Sequence, residues 1–223
     1  MDDLQSSRTT LERYPARGHY DFHTISAILD EGFVCHVGFV ANGQPYVIPT
    51  GYGRSGRTLY FHGSAASRML KATGAGIPVC VTVTLVDGLV VARSAFNSSM
   101  NYRSVVLLGT AEPVPAERKP AALKVISDHI LPGGWEAFRP VKASELAQTT
   151  VLALEIVEAS AKVRDGPPHD DAQDYALPIW AGVIEFPAGS PRIVPDPRLE
   201  PGISTPGYVS GYRRRAFAVR FST

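Results

Sequence analysis

The sequence predicts a mainly β protein, an antiparallel sheet that closes as a small barrel with a few helices on its periphery. Two observations carry this. From Phe33 to Val114, short runs rich in β-branched and aromatic residues alternate with turn chemistry. The segments with helical periodicity are short and few, so sequential hairpins rather than strand-helix-strand crossovers must build the sheet.

Taken in order, Asp21 is placed to cap a helix in which Phe22, Ile25, Ile28 and Leu29 recur at helical spacing before Gly32 ends it. The runs GFVCHVGFV, PYVIPTGY and TLYFHG follow as strands, with Asn42-Gly43 and the Ser55-Gly56 region as hairpin turns. A helical piece from Ser64 to Thr73 precedes VCVTVTLV, and Asp87-Gly88 reads as a two-residue turn into LVVARS. SVVLLGTAEPV adds a strand. A helix is expected from Ala116, with Pro120 near its start and Leu123, Ile126 and Ile130 along one face, until Pro132-Gly133-Gly134 breaks it. A short helix near Ser144 leads into TTVLALEIVEASAKVR, read as one long strand completing the barrel. Beyond Gly166 the chain is rich in Pro, Gly and Asp, which denies it a core of its own. The expectation is one domain over 1–223, with its core at 19–165 and an arm at 166–223 that packs on the barrel or on a neighbouring subunit.

Composition narrows the function classes. Of 223 residues, 44% are hydrophobic and 19% charged, and 22 basic against 21 acidic residues leave a formal charge of +1 with no long run of one sign. That excludes a nucleic-acid or membrane-surface footprint, and Arg213, Arg214 and Arg215 read as a solvated tail. Cys35 and Cys80 lie in apolar runs, FVCHV and IPVCVTV, and read as reduced core thiols. The polar start MDDLQSSRTTLERYP has no basic-then-apolar signal pattern and no later run would span a bilayer, so a cytoplasmic location is expected.

Gly51, Gly53 and Gly56 form a literal G-x-G-x-x-G, yet a further strand follows it where a dinucleotide fingerprint needs a helix, so it reads as hairpin chemistry. No nucleophile elbow occurs, Gly53-Arg54-Ser55-Gly56 being one residue short of it. His19 and His23 lack a nearby third ligand, and no metal site is expected. LYFHGSAASRML is more informative, because strand, glycine, small polar residues, arginine and helix are the parts of an anion site. Gly63 permits close approach, Ser64 is a plausible N-cap, and Ser67, Arg68 and the first-turn amides can converge on one phosphate. A capped surface helix with an exposed arginine fits the same residues. His62 reads equally as a ligand, a base or a satisfied structural histidine. Arg103 and Ser104 open a strand where they are either a second polar cluster or a solvated strand start. Trp180, in LPIWAGVIEF, either packs or covers a planar ligand.

Together these pieces resemble the pyridoxamine 5′-phosphate oxidase-related flavoproteins, the FMN-binding split-barrel group, and in particular its nitroimidazole-resistance-like branch. ILDEGFVCHVGF, QPYVIPTGYG, LYFHGSAASRML, the long run VCVTVTLVDGLVVARSAFNSSMNYRSVVLLGTAEPV and LPIWAGVI carry the resemblance. It implies a six-stranded antiparallel Greek-key split barrel, a homodimer, and FMN in a groove between subunits. It also implies that Ser67 and Arg68 grip the phosphate, with Phe61 and His62 along the ribityl chain. Val47, Ile48, Pro49 and Thr50 would follow the isoalloxazine edge, Arg103 and Ser104 would stand for the Arg-Gln pair of the oxidases, and Trp180 would reach the flavin from the partner. GYRRRAFAVRFST has no match to the oxidase's substrate-closing end, so formation of pyridoxal phosphate is not expected.

The function expected from the resemblance is an FMN-dependent oxidoreductase that takes electrons from NADH or NADPH and passes them to a small organic acceptor. Few obligatory side chains are needed when a flavin carries the redox chemistry. The alternatives are a flavin carrier or sensor without turnover, and a split barrel that binds haem or a deazaflavin, with His62 as an axial ligand in the haem case.

Overall fold

A computed structural model describes residues 4–186, 193–195, 202 and 204–213. Its strands are β1 (Gly18–His19), β2 (Val34–Ala41), β3 (Gln44–Ser55), β4 (Thr58–Ser64), β5 (Pro78–Val91), β6 (Ser99–Thr110), β7 (Glu112–Pro113), β8 (Thr149–Glu155), β9 (Ala159–Arg164) and β10 (Gly182–Glu185). The helices are α1 (Phe22–Glu31), α2 (Arg68–Thr73), α3 (Lys119–Ile130), α4 (Ala143–Gln148) and α5 (Gly207–Ser210).

The sheet is antiparallel throughout and runs β1-β9-β6-β5-β2-β3-β4-β8-β7, with β10 added to β5. A mainly β split barrel is what forms, but among the described residues the strands number ten rather than six and the hydrogen-bonded path does not close. Strand β3 explains the opening. Its residues 44–51 pair with β2, whereas only Tyr52 to Ser55 pair with β4, so the two neighbours peel apart beyond Tyr52 and Phe61.

Alternation along the strands fills the interior. Cys35, Val37, Leu59, Phe61, Val81, Val83, Val105, Leu107, Leu152 and Leu154 face inward and are buried. Burial pushes the Cys35 thiol up to about 12, which marks it as an inert core residue. Helix α1 closes one end with Ile25, Ile28 and Leu29, and its start is capped as expected, Thr24 N–H donating to Asp21 Oδ1 at 2.8 Å. Asn42 and Gly43 both have positive φ, 51° and 76°, the geometry of a tight hairpin turn.

Two expected elements differ. Asp87-Gly88 is not a turn, since β5 runs straight through it with a register shift between Val86 and Gly88. The arm strand β10 lies against this stretch, and a Cβ on Gly88 would stand 2.7 Å from the Ile184 carbonyl oxygen, so the glycine serves a bulge and a close approach. The run from Thr149 to Arg164 is two strands. Its apolar alternation is nearly unbroken, but β8 joins β4 and β7 while β9 joins β6 and β1, and the chain changes sheet at Ile156–Glu158.

Candidate functional site: the groove where β3 leaves β4

The divergence of β3 from β4 leaves a groove with one wall from β3 and the other from the end of β4 and the start of α2. On β3 the pleat separates the candidate residues. Ile48 and Thr50 share the inward face of their partners Val37 and Cys35, whereas Val47 and Pro49 point outward, Val47 with 65% of its surface exposed. On β4, Phe61 is fully buried in the core and can offer a ligand only its backbone, while His62 faces out.

His62 pairs with the buried Val151 on an outer face covered by α3, where Val114, Ala122, Ile126 and Val151 form a second apolar cluster. Its Nδ1 is buried without a hydrogen-bond partner, and burial holds the imidazole below its ordinary value, keeping it neutral. One position beyond the last paired residues of β3 and β4 it faces Gly51, where a Cβ would meet Ile130 at 3.3 Å.

The G-x-G of the sequence therefore has a packing cause, one that sequence reading missed. At Gly53 a Cβ would fall 2.6 Å from the Ile126 Cα, so α3 lies directly on the strand backbone there. Two glycines two apart on a strand, followed later by an amphipathic helix, are the available signal. Gly56, with φ 57°, is the turn residue between β3 and β4, as expected.

At the groove's end Ser64 Oγ accepts from the Ala66 amide at 3.2 Å, and Ser67 rather than Ser64 stands at the N-cap of α2. The Ser67 hydroxyl makes no capping bond. Arg68 is exposed, meets no carboxylate among the described residues, and lies with its guanidinium carbon 5.0 Å from the centre of the Tyr46 ring on β3. Tyr46, stacked in turn on Phe39, is a wall residue that sequence reading did not single out.

The remaining candidates lie elsewhere. Arg103 points to the end of α1 and across to β5, where Glu31 and Asp87 respectively hold its guanidinium nitrogens at 2.5 to 3.0 Å. Ser104 is on the opposite face of β6, its Oγ 3.5 Å from the Lys162 carbonyl. Trp180 is 65% exposed, with its ring folded over Gly182. Within one chain, the structure sets Gly63, Ser67 and Arg68 at the end of β4 and the start of α2, with Arg68 over Tyr46 on the β3 face that Ile48 and Thr50 share, whereas His62 lies on the opposite face under α3, and Arg103, Ser104 and Trp180 lie elsewhere. Arg214 and Arg215 lie outside the described residues. Among the described residues, no three His, Cys, Asp or Glu side chains gather as a metal would need, and no helix is long and apolar enough to cross a membrane. Cys35 and Cys80 are both free thiols.

An antiparallel split barrel with this groove defines a class, and the family model for pyridoxamine 5′-phosphate oxidase matches residues 21–163. The chain belongs to that family. Solved structures similar to the chain include two that match over most of its length. The flavocytochrome Anf3 from Azotobacter vinelandii is 45% identical, with 95% of this chain and 99% of that one covered and a TM-score of 0.88. The FAD and haem binding protein from Mycobacterium smegmatis is 35% identical over 89% of this chain and 98% of its own, with a TM-score of 0.85. A protein assigned to 5-nitroimidazole antibiotic resistance in Bacteroides thetaiotaomicron shares the fold at 23% identity, 66% and 86% coverage and a TM-score of 0.52. No curated protein matches the chain.

Proposed function

We propose that this protein is a flavin- and haem-binding redox protein, with the flavin phosphate at Ser67 and Arg68 and the haem iron on His62. One observation carries the flavin half. At the mouth of a groove bounded by β3 and β4, an arginine without a carboxylate partner among the described residues stands next to a serine hydroxyl that makes no capping bond. The similarity to a flavocytochrome and to an FAD and haem binding protein, both matched over nearly their full length, supports the same reading.

The residues present fit both groups. Arg68 can bind a phosphate in two-pronged fashion while its stem and guanidinium plane rest on Tyr46. Ile48 and Thr50 offer an apolar and a hydroxyl contact along the β3 wall, while the space beside Gly63, expected to admit a ligand, is filled by Leu70 of α2, whose Cδ1 would stand 3.2 Å from a Cβ there. His62 is a neutral imidazole with an unsatisfied ring nitrogen in an apolar setting, which is the state an iron ligand must have. A bound flavin supplies hydride and single-electron chemistry, and a bound haem supplies a one-electron centre. The protein's part is to hold them, to orient them and to keep water from the apolar wall at Val151 and Ile130.

Strand faces outside the groove support a homodimer. Val34, Val40, Val47 and Val86 project from the outer face of β2, β3 and β5 with 43%, 56%, 65% and 45% of their surface exposed. A second copy is the occupant that would bury such a face, and it would bring another chain's Trp180 and arm toward the groove. The electron donor in this reading is NADH or NADPH and the acceptor a small molecule.

The visible spectrum of protein purified from cells tests the proposal. A flavin band with a Soret band, and loss of the Soret band alone in His62→Ala, is the expected result. A colourless protein that takes up neither FMN, FAD nor haem overturns it. Mass spectrometry of the released chromophore distinguishes FMN from FAD.

A further inference from the structure

A second charged site lies away from the groove, between β1, the end of β9 and the loop that follows it. A cleft of about 390 Å³ opens there, with Arg17, His19, Arg164, Asp165 and His169 in its walls. None of the flavin-groove residues lines it.

The two arginines contrast with the ion-paired arginines of the barrel. Arg103, Arg54 and Arg93 each meet a carboxylate, from Glu31 and Asp87, Asp30 and Asp170 respectively. Arg164 is only 8% exposed, yet its guanidinium reaches just the Asn101 Oδ1 at 2.7 Å and the Met100 carbonyl at 3.5 Å. Among the described residues no carboxylate pairs with it. Arg17 also lacks one, and stacks on Tyr14 with 4.3 Å from guanidinium carbon to ring centre. A buried cation without a counter-charge is expensive, and a second cation beside it raises the cost. Burial first and the charge of Arg17 second push Arg164 below its ordinary value, and Asp165 in the same wall opposes this without forming an ion pair. Nearby, Arg13, Arg17 and Lys162 together pull the Tyr14 hydroxyl downward, so the positive field extends over the rim.

The arrangement is built rather than accidental. Asn101, itself buried, accepts from Arg164 and donates from Nδ2 to the Gly166 carbonyl at 3.1 Å, fixing the loop that carries Asp165 and His169. Gly166 has φ 89°, a left-handed turn that a side chain would strain.

We propose that this cleft binds a phosphomonoester of mononucleotide size, its dianion held between Arg17 and Arg164 with His19 and His169 at the edge. Two arginines lining one cavity supply the charge, and the donor type, that a phosphate dianion requires. The volume is near the lower end of the range for ligand pockets, about 300 to 1,000 Å³, which suits a mononucleotide and not a whole dinucleotide. Such a group is found on a free nucleotide and on the 2′-phosphate of NADPH, whereas NADH has none.

Calorimetric titration of the cofactor-loaded protein with 5′-AMP, 2′-AMP, NADPH, NADH and inorganic phosphate tests this. At least one phosphomonoester is expected to bind tenfold or more tightly than NADH and inorganic phosphate. Preference for 2′-AMP and NADPH assigns the nicotinamide donor, and preference for 5′-AMP assigns a free nucleotide. Arg17→Glu, at a partly exposed position, is expected to weaken the preferred ligand at least tenfold with the visible spectrum unchanged, and His169→Ala to weaken it less. No phosphomonoester binding by the wild type, affinity for inorganic phosphate equal to that for the nucleotides, or wild-type affinity in Arg17→Glu each overturns the proposal. None of these outcomes bears on whether flavin and haem are bound.

Discussion

Arg103 on β6 and Glu31 at the end of α1 face each other with two parallel contacts, Nη1 to Oε2 at 2.5 Å and Nη2 to Oε1 at 3.0 Å. Their side chains are only 12% and 8% exposed, and Asp87 completes the set by accepting from Nε at 2.9 Å. This locks the helix that closes the barrel to the sheet it closes. The carboxylates hold the guanidinium firmly protonated. Glu31→Ala removes two of the four contacts but leaves Arg103 paired with Asp87, and is expected to cost about 1.5 to 3 kcal/mol in urea unfolding, the range for lost hydrogen bonds to a charged group. If Arg103 instead serves a flavin, cofactor affinity in the folded Glu31→Ala protein will change with it; we expect that affinity to stay within about twofold, since none of the contacts involved reaches Arg68.

Arg68→Ala bears directly on the groove. Losing a charge-assisted phosphate contact is expected to weaken flavin binding by about 1.5 to 3 kcal/mol. Because the side chain is exposed and meets no carboxylate among the described residues, the thermal midpoint of the protein without flavin should hardly move. Fluorescence titration of released flavin measures the first quantity, and unchanged affinity would move the phosphate elsewhere.

Much of this was legible in the sequence for a physical reason. Local signals specify local structure, and the Asp21 cap, the Asn42-Gly43 turn and the helical stripe of Leu123, Ile126 and Ile130 each need only a few neighbouring residues. What could not be read depends on distant partners. Asp87-Gly88 carries turn chemistry, but β10, almost a hundred residues later, pairs with that stretch and makes it a bulge. The apolar alternation from Thr149 to Arg164 cannot record that its two halves join different neighbours. Likewise nothing adjacent to Arg103 or Arg164 in sequence says that one has two carboxylates and the other none.

The seat of α3 gives a third test. A methyl group at position 53 would be 2.6 Å from the Ile126 Cα and 2.7 Å from the Val125 carbonyl oxygen, both backbone atoms that cannot swing aside. Gly53→Ala is expected to push α3 outward and destabilise the protein by about 1 to 3 kcal/mol. Since that helix covers the wall on which His62 stands, the same substitution should weaken haem uptake, whereas Gly43→Ala, with open space around it but φ 76°, should lower stability alone.

The dimer face is tested by charge. Val47→Asp places a carboxylate on the most exposed of the outward valines, where one chain alone offers it water. The isolated fold should tolerate this within about 0.5 kcal/mol, while an association that buries the residue should be lost. Sedimentation velocity is expected to show a dimer for the wild type and a monomer for Val47→Asp, and a wild-type monomer at micromolar concentration rejects the arrangement.

His62 sets the expected pH dependence. Its folded-state pKa is lowered by burial relative to an ordinary 6.5, so between the two values the unfolded chain takes up a proton that the folded chain refuses. Stability from this residue is therefore complete above the ordinary value and declines as pH falls below it. A bound iron acts in the same direction, because acid competes with the metal for the ring nitrogen. Thermal midpoints measured from pH 7.5 to 5 should drop more steeply in the wild type than in His62→Gln. Soret absorbance should decline over the same window in the wild type, which a histidine that is merely packed would not produce. Parallel midpoint curves for the two proteins, with a Soret band indifferent to acid, would detach the histidine from both the strain of burial and the iron.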